Sequence, residues 1–170
     1  MGRILKALDD MGLSDNTILV FTSDHGDHIH CHGYAKCNDP SIEDNTRRAS
    51  KATPYEESIH VPLIVRWPAK VSRSGRTNAF FSSVDIMPTL LSLCGVRAPE
   101  GMQGIDQSHL LLGGDGETRD SVYLEILGEG WPHRGKWVGY WRGVRSDRWM
   151  YARWYKNENG PLLFDVANDP

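Results

Sequence analysis

The run DNTILVFTSDHGDHIHCHG, residues 15–33, constrains the fold more than any other part of the chain. Residues 17–22 within it are apolar on both faces, as expected of a buried strand in a parallel sheet. The run stops abruptly at Ser23-Asp24-His25-Gly26. Residues 61–67, VPLIVRW, form a second such run, bounded by Pro68. Ahead of the first, Ile4, Leu5, Leu8 and Met11 mark one helical stripe that ends at Gly12. Residues 85–93, DIMPTLLSL, predict a helix with Pro88 in its first turn and Gly95 just past its end. Residues 34–53 are polar and rich in Asn, Asp, Arg and Ser, so they read as a long loop. Helix, strand, loop, strand and helix make an α/β layer.

The character changes after Gly113-Gly114. Residues 121–126, 141–146, 148–155 and 161–166 read as short strands, with turns at Ser146-Asp147 and residues 157–160. Sequential strands joined by short turns predict an antiparallel sheet. The chain therefore divides into residues 1–112, an α/β part, and residues 113–170, a small antiparallel part. Five of the six tryptophans fall between Trp131 and Trp154. They are either core or a substrate-facing wall, and core is the favoured reading. The segment 128–139, with Trp131, His133, Arg134, Lys136 and Trp137, can meet an anionic or sugar ligand; an ordinary exposed hairpin is the alternative.

Composition sets outer limits. With 170 residues, 39% apolar and 24% charged, the chain can bury a real core. A net charge of -3 gives no reason to expect nucleic acid or an anionic membrane surface. No run reaches the roughly 20 apolar residues that a spanning helix needs. Cys31, Cys37 and Cys94 lack CxxC spacing and argue against a disulfide scaffold.

The chemistry concentrates at the end of the first strand. In open α/β sheets, ligands sit beyond the carboxyl ends of the strands. That places the Asp24 carboxylate and the His25 imidazole at a crevice, held by the strand behind them. Read alone, D-H-G is more simply a turn with an exposed histidine. Four of the seven histidines, His25, His28, His30 and His32, fall within eight residues. Alternating His28, His30 and His32 share a face in an extended segment and form a weak zinc candidate. The H-x-H-x-D-H order of metallo-β-lactamases is reversed here, so that comparison fails.

A second cluster, Lys51-Ala52-Thr53-Pro54-Tyr55-Glu56-Glu57-Ser58, stands immediately before VPLIV. Together these segments resemble the type I sulfatases of the alkaline phosphatase superfamily. GRILKALDDMGLSDNTILVFTSDHGD, KATPYEESIHVPLIVRWPA, SSVDIMPTLLSLCGVRAPEGMQGIDQSHLL, WRGVRSDRWMYARW and LLFDVANDP match that family in the right order, over nearly the whole chain. The resemblance implies a partial alkaline-phosphatase-like sheet with helices, followed by a small antiparallel C-terminal sheet. It implies that Asp24 and His25 are ligands of Ca2+ or Mg2+, and a carboxylate oxygen suits a hard cation. Lys51 would bind a sulfate oxygen and offset charge developing on the ester. His32 would line the pocket, and His60 would be structural. The substrate implied is a sulfated small molecule or sulfated glycan.

Departures accompany the match. Residues 34–50 intervene between His32-Gly33 and Lys51, far more than in relatives, so Lys36 is a rival for the sulfate-binding role. His30 replaces a common Gly. The family's nucleophile is a formylglycine made within C-x-P-S-R or C-x-A-x-R. No cysteine here has Arg four residues on, and Ser72-Arg73-Ser74-Gly75-Arg76 lacks the Pro or Ala. The resemblance thus implies the C-terminal portion of a sulfatase, inactive by itself, with sheet edges open to self-association. Two other readings remain: a phosphonate or phosphate ester hydrolase of the same superfamily, and a non-catalytic binding module.

Overall fold

The computed structural model describes residues 1–27, 53–71, 74–126, 141–154 and 160–168, and the backbone of 132–133 and 136–137. In chain order the elements are α1 (Gly2–Asp10), β1 (Leu19–Thr22), α2 (Glu56–Ile59), β2 (Leu63–Arg66), α3 (Ile86–Leu93), α4 (His109–Leu112), β3 (Ser121–Ile126), β4 (Pro132–His133), β5 (Lys136–Trp137), β6 (Trp141–Ser146), β7 (Trp149–Trp154) and β8 (Leu162–Asp165). They fall into two compact units. One comprises Met1–Thr22 and Pro62–Arg119; the other comprises Ser23–Val61 and Asp120–Pro170.

In the first unit β1 and β2 pair with Leu19 opposite Arg66 and Thr22 opposite Leu63. The two apolar runs do share one sheet, but the pair is antiparallel, not parallel. Burial also differs from the sequence reading. Phe21 and Ile64 are cross-strand partners, and both stand exposed, at 43% and 52%. Continuous apolarity signals a strand meant for two covered faces; these strands have no third neighbour among the described residues. The β2 end is tied back to the first helix and its turn. Arg66 Nη2 lies 2.8 Å from Asp9 Oδ1, and Trp67 Nε1 donates to the Asp15 carbonyl at 3.0 Å.

The helix around Pro88 forms as the sequence predicts, preceded by a 3-10 turn at Ser83–Asp85. Gly95 follows its end with φ 70°, the left-handed value that glycine adopts without penalty. Asp85 does more than start the helix. Its carboxylate is fully buried and accepts from the amides of Ser82 (2.9 Å) and Ile105 (2.8 Å), from Gln107 Nε2 (3.0 Å), and from Arg119 twice (2.8 and 2.6 Å). Gln107 is itself fully buried, and its amide donates to Thr89 Oγ1 at 3.0 Å. One carboxylate thus closes the loop 94–108 and the segment ending at Arg119 onto the start of α3.

The second unit holds a four-stranded antiparallel sheet in the order β3-β6-β7-β8. Register is continuous: Val122 faces Arg145, Val144 faces Tyr151, and Met150 faces Phe164. Alternation sends Trp141, Met150 and Ala152 into the core, where Ile59, Leu124, Ile126, Trp154, Phe164 and Val166 pack against them. Trp141 is a core residue at 2% exposure, whereas Trp149 is exposed. Tyr123, Val144, Tyr151 and Leu163 form one exposed row across the opposite face. Arg148 ties β7 to β8 by two hydrogen bonds to Asp165 Oδ2, 3.0 and 2.7 Å.

Both carboxylates make stability acid-sensitive. The Arg148 and Asn168 hydrogen bonds bring Asp165 down from 3.8 to about 2. For Asp85, burial pushes upward, but the Arg119 hydrogen bonds and the Ile105 and Ser82 amides outweigh it, and the net shift is downward. A depressed folded value means that the contribution is complete above the unfolded value of 3.8 and is lost as pH falls through the folded one. The urea midpoint should therefore fall steadily from about pH 5 to about pH 2. Asp165→Asn should flatten part of that fall, and an unchanged profile would show that Arg148–Asp165 does not matter.

Candidate functional site

Asp24 and His25 lie where the chain leaves β1. The Asp24 side chain is 84% exposed, and its Oδ1 accepts from the His25 amide at 3.0 Å. His25 Nδ1 lies 2.8 Å from the Gly26 carbonyl oxygen. A carbonyl only accepts, so Nδ1 carries the proton. That leaves Nε2 facing Asp24 Oδ2 at 3.5 Å. The two atoms stand close enough to share one cation. A backbone carbonyl fixing one imidazole nitrogen so that the other can ligate is a common arrangement at metal sites. The donor pair therefore fits a divalent cation, as two of the about six to eight ligands that calcium takes. No group of three or more candidate ligands occurs among the described residues.

The turn is held from beneath. The Gly26 amide donates to the Ser58 carbonyl at 2.9 Å. A Cβ at Gly26 would overlap the Glu57 carbonyl, so only glycine lets the turn approach α2 this closely. The segment leading into α2 is equally fixed. Pro54 is fully buried, and the Tyr55 ring packs on Phe164 with centroids 5.6 Å apart. The Glu56 carboxylate meets Arg145 in a fork, Oε1 to Nε at 2.7 Å and Oε2 to Nη2 at 3.2 Å. His60 Nδ1 lies 3.5 Å from Glu56 Oε2 and is largely exposed.

Lys51, His32, Lys36, His28 and His30 lie outside the described residues, as do the side chains of the 128–139 segment. The structure thus brings Asp24 and His25 together at one turn, seated on the helix that follows the lysine segment by a few residues. Sequence reasoning gave no sign of the seat itself. Glu56 and Arg145 are 89 residues apart, and no local pattern links them.

An α/β segment ending in D-H-G and a four-stranded antiparallel sheet define the C-terminal part of a sulfatase of alkaline-phosphatase-like fold. A solved structure, described as in complex with its substrate D-glucosamine-2-N,6-O-disulfate, superimposes with a TM-score of 0.81 at 27% identity; the match covers 99% of this chain and 31% of that one. The chain belongs to the family "N-sulphoglucosamine sulphohydrolase, C-terminal", whose model matches residues 48–170. Among curated relatives, it is 32% identical to an ulvan-active sulfatase of Formosa agariphila, over 100% of this chain and 30% of that protein. It is 35% identical to an N-acetylgalactosamine-6-O-sulfatase of Bacteroides thetaiotaomicron, over 100% and 34% respectively. The chain spans about a third of the length of these relatives.

Proposed function

We propose that this chain supplies part of the catalytic site of a sulfatase that hydrolyses sulfate esters of carbohydrates. Asp24 and His25 hold a divalent cation, Ca2+ or Mg2+. Lys51 binds a sulfate oxygen, with His32 lining the pocket. The observation that carries this reading is the Nε2–Oδ2 approach at 3.5 Å beside an Nδ1 committed to a carbonyl. The bound cation would polarise the sulfate group, as a Lewis acid. The chain's own residues orient it: Gly26 and the Ser58 carbonyl fix the turn, and an exposed carboxylate stays available to the ligand. The nucleophile is a formylglycine, and no C-x-[PA]-x-R precursor occurs in these 170 residues. In this reading residues 1–112 are the catalytic α/β part and 113–170 the small subdomain. Relatives named for ulvan and for N-acetylgalactosamine-6-O-sulfate support a sulfated glycan as substrate. The exposed pair Phe21 and Ile64 supports self-association of the chain by itself.

The purified chain should show no turnover of an aryl sulfate above background. Turnover that survives purification and vanishes in Lys51→Ala would contradict the missing nucleophile. Loss in Lys36→Ala alone would assign the sulfate-binding role to Lys36 instead.

A further inference from the structure

We infer that Arg145 is a positioning residue for the Asp24-His25 turn, acting through Glu56 and α2. The inference rests on reading Asp24 and His25 as metal ligands. Arg145 shares the inward face of β6 with Trp141 and Gly143, which alternation along the strand dictates. Its head group emerges beside α2, and its side chain is only 15% exposed. There it grips Glu56 with two parallel N–H···O contacts. A fork of this kind fixes orientation as well as charge. Tyr55 on Phe164 and Ile59 against the Trp141 cluster secure the same short helix on either side of Glu56. The next two residues turn their carbonyls toward Gly26: Ser58 accepts its amide, and Glu57 lies where a Cβ would sit. Every link from the sheet to the turn is therefore a direct contact. β6 holds Arg145, Arg145 holds Glu56, α2 holds Gly26, and Gly26 sets the direction of His25 and Asp24. A four-residue helix is too short to keep its orientation unaided. The antiparallel sheet is thus part of what aims the metal ligands.

The experiment compares the chain with its Arg145→Lys and Glu56→Gln variants by amide hydrogen exchange and by calcium titration of amide shifts. Lysine keeps the charge and loses the fork. In both variants the Gly26 amide should exchange about tenfold faster, while the β6–β7 ladder amides change far less. Calcium affinity read at Asp24 and His25 should fall in parallel. Unchanged Gly26 exchange in both variants overturns the inference. So does equal quickening of Gly26 and the ladder, which marks Arg145 as a general stabiliser of the sheet. If calcium leaves Asp24 and His25 unmoved in the parent chain while Gly26 still responds, the positioning holds and the metal reading falls. If calcium binds through Asp24 while Gly26 ignores both variants, the metal reading stands and the positioning falls.

Discussion

Asp85→Ala should unfold the first unit's α3 region, lowering stability by about 3–5 kcal/mol, the usual result of removing one partner from a buried ion pair. The carboxylate is fully buried and Arg119 meets it with two nitrogens, at 2.8 and 2.6 Å. Alanine takes the paired charge away from the Arg119 guanidinium, whose side chain is 26% exposed, and opens a cavity beside it. It also strands the Ser82 and Ile105 amides and the Gln107 side-chain nitrogen, each of which then lacks its acceptor. Arg119→Ala should cost comparably, because a buried carboxylate loses its compensating charge. An apolar pair at 85 and 119 should recover little, since the three stranded donors remain. Domains are stable by only about 5–15 kcal/mol, so the loss is a large share. Urea unfolding followed by circular dichroism checks it. A shift below about 1 kcal/mol for both single variants would show that the network does not hold the unit together.

Gly104→Ala should be one of the most damaging glycine substitutions among the described residues. Gly104 has φ 93°, and its Cα lies against the Val84 carbonyl, so a Cβ would overlap that oxygen and crowd the Asp85 amide. Two penalties add. Left-handed backbone strain costs about 1–3 kcal/mol, and forced displacement of packed backbone costs about 1–3 kcal/mol. Displacing Val84 also shifts Asp85, so the substitution disturbs the same network. Gly12, with φ 67° and open space around it, is the control; Gly12→Ala meets only the backbone strain and should cost less. Equal losses at the two positions would mean that contact with Val84 is unimportant.

Much of the fold is legible in the sequence because its breaks are chemically sharp. Pro68, Gly95 and Ser146-Asp147 mark the ends of their elements, and β3 and β6 coincide with residues 121–126 and 141–146, the stretches that read as strands. Burial and strand direction were less legible. A two-stranded antiparallel pair and an interior parallel strand present the same unbroken apolar run, and only neighbours distinguish them. Asp85 reads as a helix start, because nothing near it in sequence announces Arg119, 34 residues on. At the site, the D-H-G turn was legible from its place after a strand. Its seat on α2 was not, because the close approach of Gly26 to Glu57 depends on a glycine that looks like any turn glycine.

The central claim is that Asp24 and His25 are divalent-cation ligands, two of a larger set. Calcium titration of the chain, followed through the amide shifts of residues 24–26, tests it most directly. The account predicts saturable shifts at Asp24 and His25 with a Kd of about millimolar or weaker, abolished in Asp24→Asn and preserved when His28, His30 and His32 are all alanine. It is contradicted if neither calcium nor magnesium moves Asp24, or if zinc binds tightly, depends on His28, His30 and His32, and ignores Asp24→Asn.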